Sequence, residues 1–208
     1  THLSVADDAD LDYTEGQVAR FTEVLDRLTA AGVRFRYVHC ANSAGLLRVP
    51  TARFTMVRLG IAMYGLQPSS QVALPPGFRP ALTWKTTIAQ VKTLTAGSFV
   101  SYGNAYQTSA EETIAVIPVG YADGFRRAPT HWHAVLVRGK RAPVVGRVCM
   151  DQTMINVSHI PNVRVGDEVV LIGQQGDDEI SAEEVAEWLG TINYEVVSEI
   201  LARVPRVV

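Results

Sequence analysis

The sequence predicts an α/β segment followed by a mostly antiparallel β domain, and three observations carry that prediction. The first 70 or so residues alternate helical and strand-like patterns. Four prolines, Pro68, Pro75, Pro76 and Pro80, then interrupt the chain together with Ser69, Ser70 and Gly77. Beyond them come short β-rich runs separated by turn signals, the spacing of a β barrel or sandwich. The expected division is therefore 1–72 and 73–208, with the boundary in the proline-rich stretch.

Each element follows from its local pattern. Val18, Phe21, Leu25 and Leu28 recur at helical spacing between Thr14 and Ala31, and Gly32 stands where a helix commonly ends. Residues 35–40 and 54–58 read as strands, each followed by a polar or glycine-containing turn and a short helix. Two such units argue for a parallel α/β layer but cannot close a sheet alone. In the β domain the strand-like runs are 82–93, 113–118, 133–137, 144–149, 154–157 and 168–172, with Gly139-Lys140 as a hairpin tip. Near the end, Ser181 and Glu184 form a capping-box pattern ahead of Val185, Trp188 and Leu189, and a further short helix is expected from Thr191.

Composition narrows the function. Of 208 residues 47% are hydrophobic and 19% charged, enough for a packed core. Nineteen basic and twenty-one acidic side chains balance to −2, which leaves no electrostatic footprint for nucleic acid or an anionic membrane. No apolar run approaches a membrane span, and two cysteines, Cys40 and Cys149, fit a reducing cytoplasmic setting. Only three of the basic residues are lysines: Lys85, Lys92 and Lys140. Chemistry that needs a lysine amine must use one of these or lie outside the chain. The first residue is Thr1 rather than methionine, so the chain is read as a section of something longer.

Several clusters mix glycine, polar and aromatic residues in ways that core packing does not require. His39-Cys40-Ala41-Asn42-Ser43 puts a hydroxyl after a strand and at the mouth of a helix, where a phosphate is favoured; a serine there can equally cap the helix. Arg58-Leu59-Gly60-Ile61 repeats the theme, with glycine allowing close backbone approach. Ser101-Tyr102-Gly103 and Gly120-Tyr121-Ala122-Asp123-Gly124 each place a tyrosine beside glycine, either as a proton-transfer group or simply as a packed ring. Neither His39 nor Cys149 has a partner at metal or nucleophile spacing, so no metal is expected.

Taken in order, these clusters, with Gly146-Arg147-Val148-Cys149-Met150-Asp151-Gln152, Ile192-Asn193-Tyr194-Glu195 and Arg203-Val204-Pro205-Arg206, strongly resemble the alanine racemase family. The resemblance runs from His2 to Arg206. It implies the last part of an N-terminal (β/α)8 barrel over residues 1–72 and a C-terminal β domain with a closing helix and tail over 73–208. It also implies pyridoxal 5'-phosphate, interconversion of L- and D-alanine for peptidoglycan synthesis, and a homodimer whose active sites are shared between subunits.

Carried over residue by residue, the resemblance makes Ser43, Gly60, Ile61 and Tyr194 the phosphate site and Arg58 the partner of the pyridine nitrogen. Tyr102 becomes the acid/base acting on the L-enantiomer, and Met150 the residue whose backbone meets the substrate carboxylate. Tyr121, Arg127, Arg147, Asp151 and Ile192 fall along the substrate entryway. The lysine that holds the cofactor as a Schiff base, and serves as the second base, belongs to an N-terminal section that this chain does not match. That section is the expected partner, and the chain alone is expected to be inactive. Two other expectations remain open here: a racemase of the same fold with broader amino-acid specificity, and a non-catalytic remnant kept for dimerisation or binding.

Overall fold

The computed structural model describes residues 1–207, in two compact units, Thr1–Ala81 and Leu82–Val208. The junction lies at Ala81/Leu82, at the end of the proline-rich stretch rather than at residue 72.

The first unit contains α1 (Asp12–Ala30) and α2 (Ser43–Arg48), followed by single 3-10 turns at Pro50–Ala52 and Ile61–Tyr64. Its core gathers Leu3, Ala6, Val18, Cys40, Ala41, Ala44, Val49, Ala52 and Val72, with Phe21, Phe54 and Val57 packed at the margin. Along α1 only Val18 of the expected apolar stripe is buried; Phe21, Leu25 and Leu28 are half-covered, and Val24, Phe35 and Tyr37 are exposed around them. The strands expected at 35–40 and 54–58 do not form as strands. The two segments run side by side joined by three backbone bonds, Thr55 and Met56 N–H to the Val38 carbonyl and Arg58 N–H to the Ala41 carbonyl. A strand is defined by a ladder of partners, and β-prone side chains alone do not supply one.

In the second unit, the β domain is built from β1 (Trp84–Thr87), β2 (Gln90–Leu94), β3 (Phe99–Val100), β4 (Tyr106–Gln107), β5 (Glu112–Ile117), β6 (Ala134–Val137), β7 (Lys140–Val145), β8 (Thr153–Asn156), β9 (Glu168–Gln175) and β10 (Asp178–Ile180). The main sheet has the order β1-β9-β6-β7-β8-β5-β2, all antiparallel, with β10 alongside the far end of β9. The expected single run 82–93 is two strands, and the break closes the sheet. Ile88 N–H bonds the Asp167 carbonyl at 2.9 Å beside β9, while Ala89 N–H bonds the Val116 carbonyl at 2.8 Å on β5. β1 and β2 are thus one bent strand that changes partner, joining the two ends of the sheet into a barrel.

The barrel interior holds Ile117, Val135, Val137, Ile155, Val169 and Leu171, all fully buried. Phe125 stacks on Trp132 at 4.4 Å, with Trp84 edge-on to both. The strand expected at 144–149 lies earlier, at 140–145, because Gly146 takes φ +71° and turns the chain out of the sheet. The hairpin tip forms as read, with Val137 paired to Lys140 across Arg138 and Gly139, both at positive φ. α3 (Ala182–Leu189) begins where Ser181 Oγ accepts the Glu184 N–H at 3.1 Å and ends at left-handed Gly190; α4 (Asn193–Ser198) follows.

Candidate functional site

The residues expected to meet the phosphate end of a cofactor divide between the two units. In the first, the chain leaves the 35–40 segment and enters α2 with Asn42 as its N-cap: Asn42 Oδ1 accepts the Gly45 N–H at 2.9 Å. This frees Ser43 from the capping role, although sequence alone left the two residues' roles open. The Ser43 side chain is buried, and its Oγ accepts the N–H groups of Gly60 at 3.0 Å and Ala62 at 3.4 Å. A hydroxyl that accepts two amides keeps its own proton to donate. Ile61 is the first residue of the 3-10 turn, where N–H groups lack partners inside the helix. Hydroxyl and amides thus converge on one small cradle, a donor set that fits a phosphate.

Arg58 lies just upstream. Its guanidinium donates to the Cys40 carbonyl at 3.3 Å, to His2 Nδ1 at 2.7 Å and to His39 Nδ1. A guanidinium has only donors, so both imidazoles present an unprotonated Nδ1 to it. Burial pushes the neighbouring Cys40 thiol up, which leaves it an inert core residue.

The second unit gathers the remaining candidates at one loop end of its barrel, apart from Ile192 and Tyr194, which stand at the start of α4. Tyr102 heads the turn between β3 and β4 and is 68% exposed. Ser101, before it, holds φ +70°, a conformation non-glycine residues rarely adopt, and is pinned there from both sides. Its Oγ donates to the Arg147 carbonyl at 2.7 Å and accepts the Arg147 N–H at 3.0 Å. Arg147 in turn lays its guanidinium against Gly103.

The loop of Arg147, Met150 and Asp151 is stitched to the loop of Tyr121: Tyr121 N–H bonds the Cys149 carbonyl at 3.1 Å and Ala122 N–H the Met150 carbonyl at 2.8 Å. Gly120 permits this, since a Cβ there would lie 2.2 Å from the Cys149 carbonyl oxygen. Arg127 donates to the Val148 carbonyl at 2.7 Å, so four of the expected entryway residues share one rim. Ile192 and Tyr194 are both exposed. Arg126 ties that helix down through Glu195 at 3.2 Å and through Glu199.

Two contributors lay outside the sequence reading. Asp123, nearly buried, accepts from Gly120 N–H at 2.8 Å and pairs with Arg203 at 2.6 and 3.0 Å, so the Tyr121 turn is locked to the chain's last segment. Those bonds, with Asp151 further off, push the Arg203 guanidinium still higher, so it stays charged. Glu112, buried at the start of β5, is the other. A signal was available for the first pair only, since Asp123 and Arg203 each sit inside a quoted motif; nothing local marks Glu112.

A chain of barrel-type α/β segment followed by a closed antiparallel β barrel, with an exposed tyrosine turn at its loop end, defines the class of two-domain barrel-plus-β enzymes. Comparison with known families makes the assignment particular: "Alanine racemase, N-terminal domain" matches residues 1–68 and "Alanine racemase, C-terminal domain" residues 81–208. The chain belongs to the alanine racemase family, whose members depend on pyridoxal phosphate.

The alanine racemase of Desulfovibrio desulfuricans is 49% identical over 207 residues, covering 100% of this chain and 55% of its own length. That of Symbiobacterium thermophilum is 52% identical over 206 residues, with 99% and 55% covered. Among solved structures, the Bacillus anthracis alanine racemase with bound L-Ala-P superposes with a TM-score of 0.93 at 47% identity, over 100% of this chain and 53% of that one. The Clostridium difficile enzyme in complex with cycloserine gives 0.89 at 41% identity, over 98% and 54%. The chain spans about half the length of the relatives it matches.

Proposed function

We propose that this chain supplies about half of a pyridoxal-phosphate-dependent alanine racemase, acting on L- and D-alanine in the cytoplasm as a homodimer together with a barrel section that carries the cofactor lysine. The observation that carries the reading is Tyr102. A tyrosine kept for packing buries its ring, whereas this one is 68% exposed on a turn held in an unfavourable backbone conformation. Its hydroxyl makes no hydrogen bond among the described residues. Racemisation needs a group on each face of the α-carbon, and a free phenol on a fixed turn suits one of them.

Pyridoxal phosphate, when bound, withdraws electrons from the substrate α-carbon and makes its proton removable. The roles of this chain's residues follow from their donors. Ser43 O–H and the Gly60 and Ile61 N–H groups would hold the phosphate, with Tyr194 contributing from the β domain. Arg58 would donate to the pyridine nitrogen and, because a guanidinium yields no proton at working pH, would keep that nitrogen unprotonated. Tyr102 would take the proton from L-alanine and return it to the same face in the reverse direction. Met150 would meet the substrate carboxylate through its backbone, while Tyr121, Arg127, Arg147, Asp151 and Ile192 line the approach. The half-covered stripe of α1, with Phe35 and Tyr37 exposed beside it, supports a covering section of barrel.

The test is reconstitution. The chain expressed with a barrel section from a family member should bind pyridoxal phosphate and racemise alanine, faster than serine or lysine, and either part alone should not. Cofactor binding without racemisation of any amino acid by the assembled pair would sink the reading.

A further inference from the structure

The hairpin that carries Tyr102 has little to hold it by itself. β3 and β4 are two residues each and pair only with one another, and Ser101, Gly103 and Asn104 between them all lie at positive φ. A ribbon this short has no independent stability in water. Ser101 secures one side on Arg147; the other side is secured by Tyr106. The Tyr106 ring packs on the apolar cluster of Val100, Ile114 and Val145, and its hydroxyl donates to Glu112 Oε2 at 2.5 Å.

Glu112 begins β5 of the barrel and is 8% exposed. Its carboxylate also accepts from Asn156 Nδ2 on β8 at 2.8 Å and from Ser109 N–H at 2.9 Å. Among the described residues it has no ion-pair partner. Burying a carboxylate without a cation is costly, and an apolar side chain would fill the same place at less cost. The hydrogen bond from Tyr106, helped by Ser109, holds the Glu112 carboxyl below the usual carboxylate range, so it stays an acceptor. The same bond raises the Tyr106 phenol, so it stays a donor.

We propose that Glu112 is a positioning residue for Tyr102: through Tyr106 it bolts the β3–β4 hairpin to the barrel and fixes where the Tyr102 hydroxyl stands. This rests on the reading of Tyr102 as a proton-transfer group. Proton transfer is confined to hydrogen-bond distance, and a displacement of about 1 Å can cost on the order of 100-fold in rate. Glu112 reaches no other residue on the rim, so its influence must pass along Tyr106.

The test uses Glu112→Gln and Tyr106→Phe in the assembled, cofactor-loaded enzyme. The second keeps the ring in its cluster and removes only the hydroxyl, so it stays informative if the first folds poorly. Both should lower kcat for L-alanine roughly tenfold or more with KM little changed. Both should also enlarge the isotope effect on α-deuterated L-alanine and speed hydrogen exchange in peptide 99–107. Loss of activity in proportion to folded protein, with isotope effect and exchange unchanged, would mean a structural role only and would overturn the proposal. Tyr102→Phe is measured in parallel. Full activity there would overturn the reading of Tyr102 instead, and the exchange data would still decide whether Glu112 holds the turn.

Discussion

Replacing Gly120 with alanine tests the loop end of the barrel directly. Gly120 has φ −157° and ψ −162°, extended backbone open to any residue, so the substitution costs nothing in conformation. The cost is contact: a Cβ would stand 2.2 Å from the Cys149 carbonyl oxygen and 2.6 Å from the Met150 carbonyl carbon, both backbone atoms with nowhere to rotate. The two loops must separate, losing the Tyr121–Cys149 and Ala122–Met150 hydrogen bonds at about 1 kcal/mol each. Overpacking adds about 1–3 kcal/mol. The expected loss is roughly 3–5 kcal/mol, or a fall in Tm of roughly 10 °C. Gly190→Ala is the control, because Gly190 has φ +66° and open space around it, so only conformational strain of about 1–2 kcal/mol applies. Urea unfolding of both variants measures the difference. Gly120→Ala no more destabilised than Gly190→Ala would refute the argument that close approach of two loops builds this rim.

Three further outcomes are expected. Ser43→Ala should weaken pyridoxal phosphate binding roughly tenfold or more, the worth of a hydrogen bond to a charged group, while leaving α2 intact because Asn42 caps it; cofactor titration and circular dichroism read the two effects separately. Ser181→Ala should cost about 1 kcal/mol of β-domain stability through loss of the Glu184 cap, measured by urea unfolding. Asp167 has its carboxyl lowered chiefly by the Arg138 guanidinium, then by the Arg164 N–H. A carboxyl with a depressed folded-state value adds stability that is present above its unfolded value, near 4, and is lost as pH falls through the folded one. Asp167→Asn should therefore flatten the acid limb of the stability curve below about pH 4 and change little at pH 7 beyond the lost pair; an unchanged acid limb would count against that assignment.

How much could be read in advance depended on the range of the interaction. The Ser181–Glu184 cap and the Gly139–Lys140 tip are decided within a few residues, and both formed as read. Residues 35–40 and 54–58 have the composition of strands and are not strands, because a ladder needs a neighbour that composition cannot supply. The Asn42–Ser43 pair shows the limit at short range. Both residue types cap helices, and only the position of Gly60, seventeen residues on, decides which hydroxyl is free for other work. At long range, Asp123–Arg203 spans 80 residues and Glu112–Asn156 spans 44, and no local pattern announces either. Individual site residues were legible only through their ordered motifs, since a tyrosine beside a glycine has no single meaning by itself.

The bent strand at Ile88–Ala89 has a consequence for how the chain behaves outside its assembly. By joining the ends of the sheet it removes the open rows of N–H and C=O groups through which β proteins recruit one another. The β domain is therefore poorly suited to seeding strand-to-strand association. Residues 35–40 and 54–58 are the opposite case, extended, rich in Phe, Tyr and Val, and joined by only three backbone bonds. When the chain is handled without a barrel section, aggregation will start from those two segments, and solubility will be recovered by covering them rather than by stabilising the barrel.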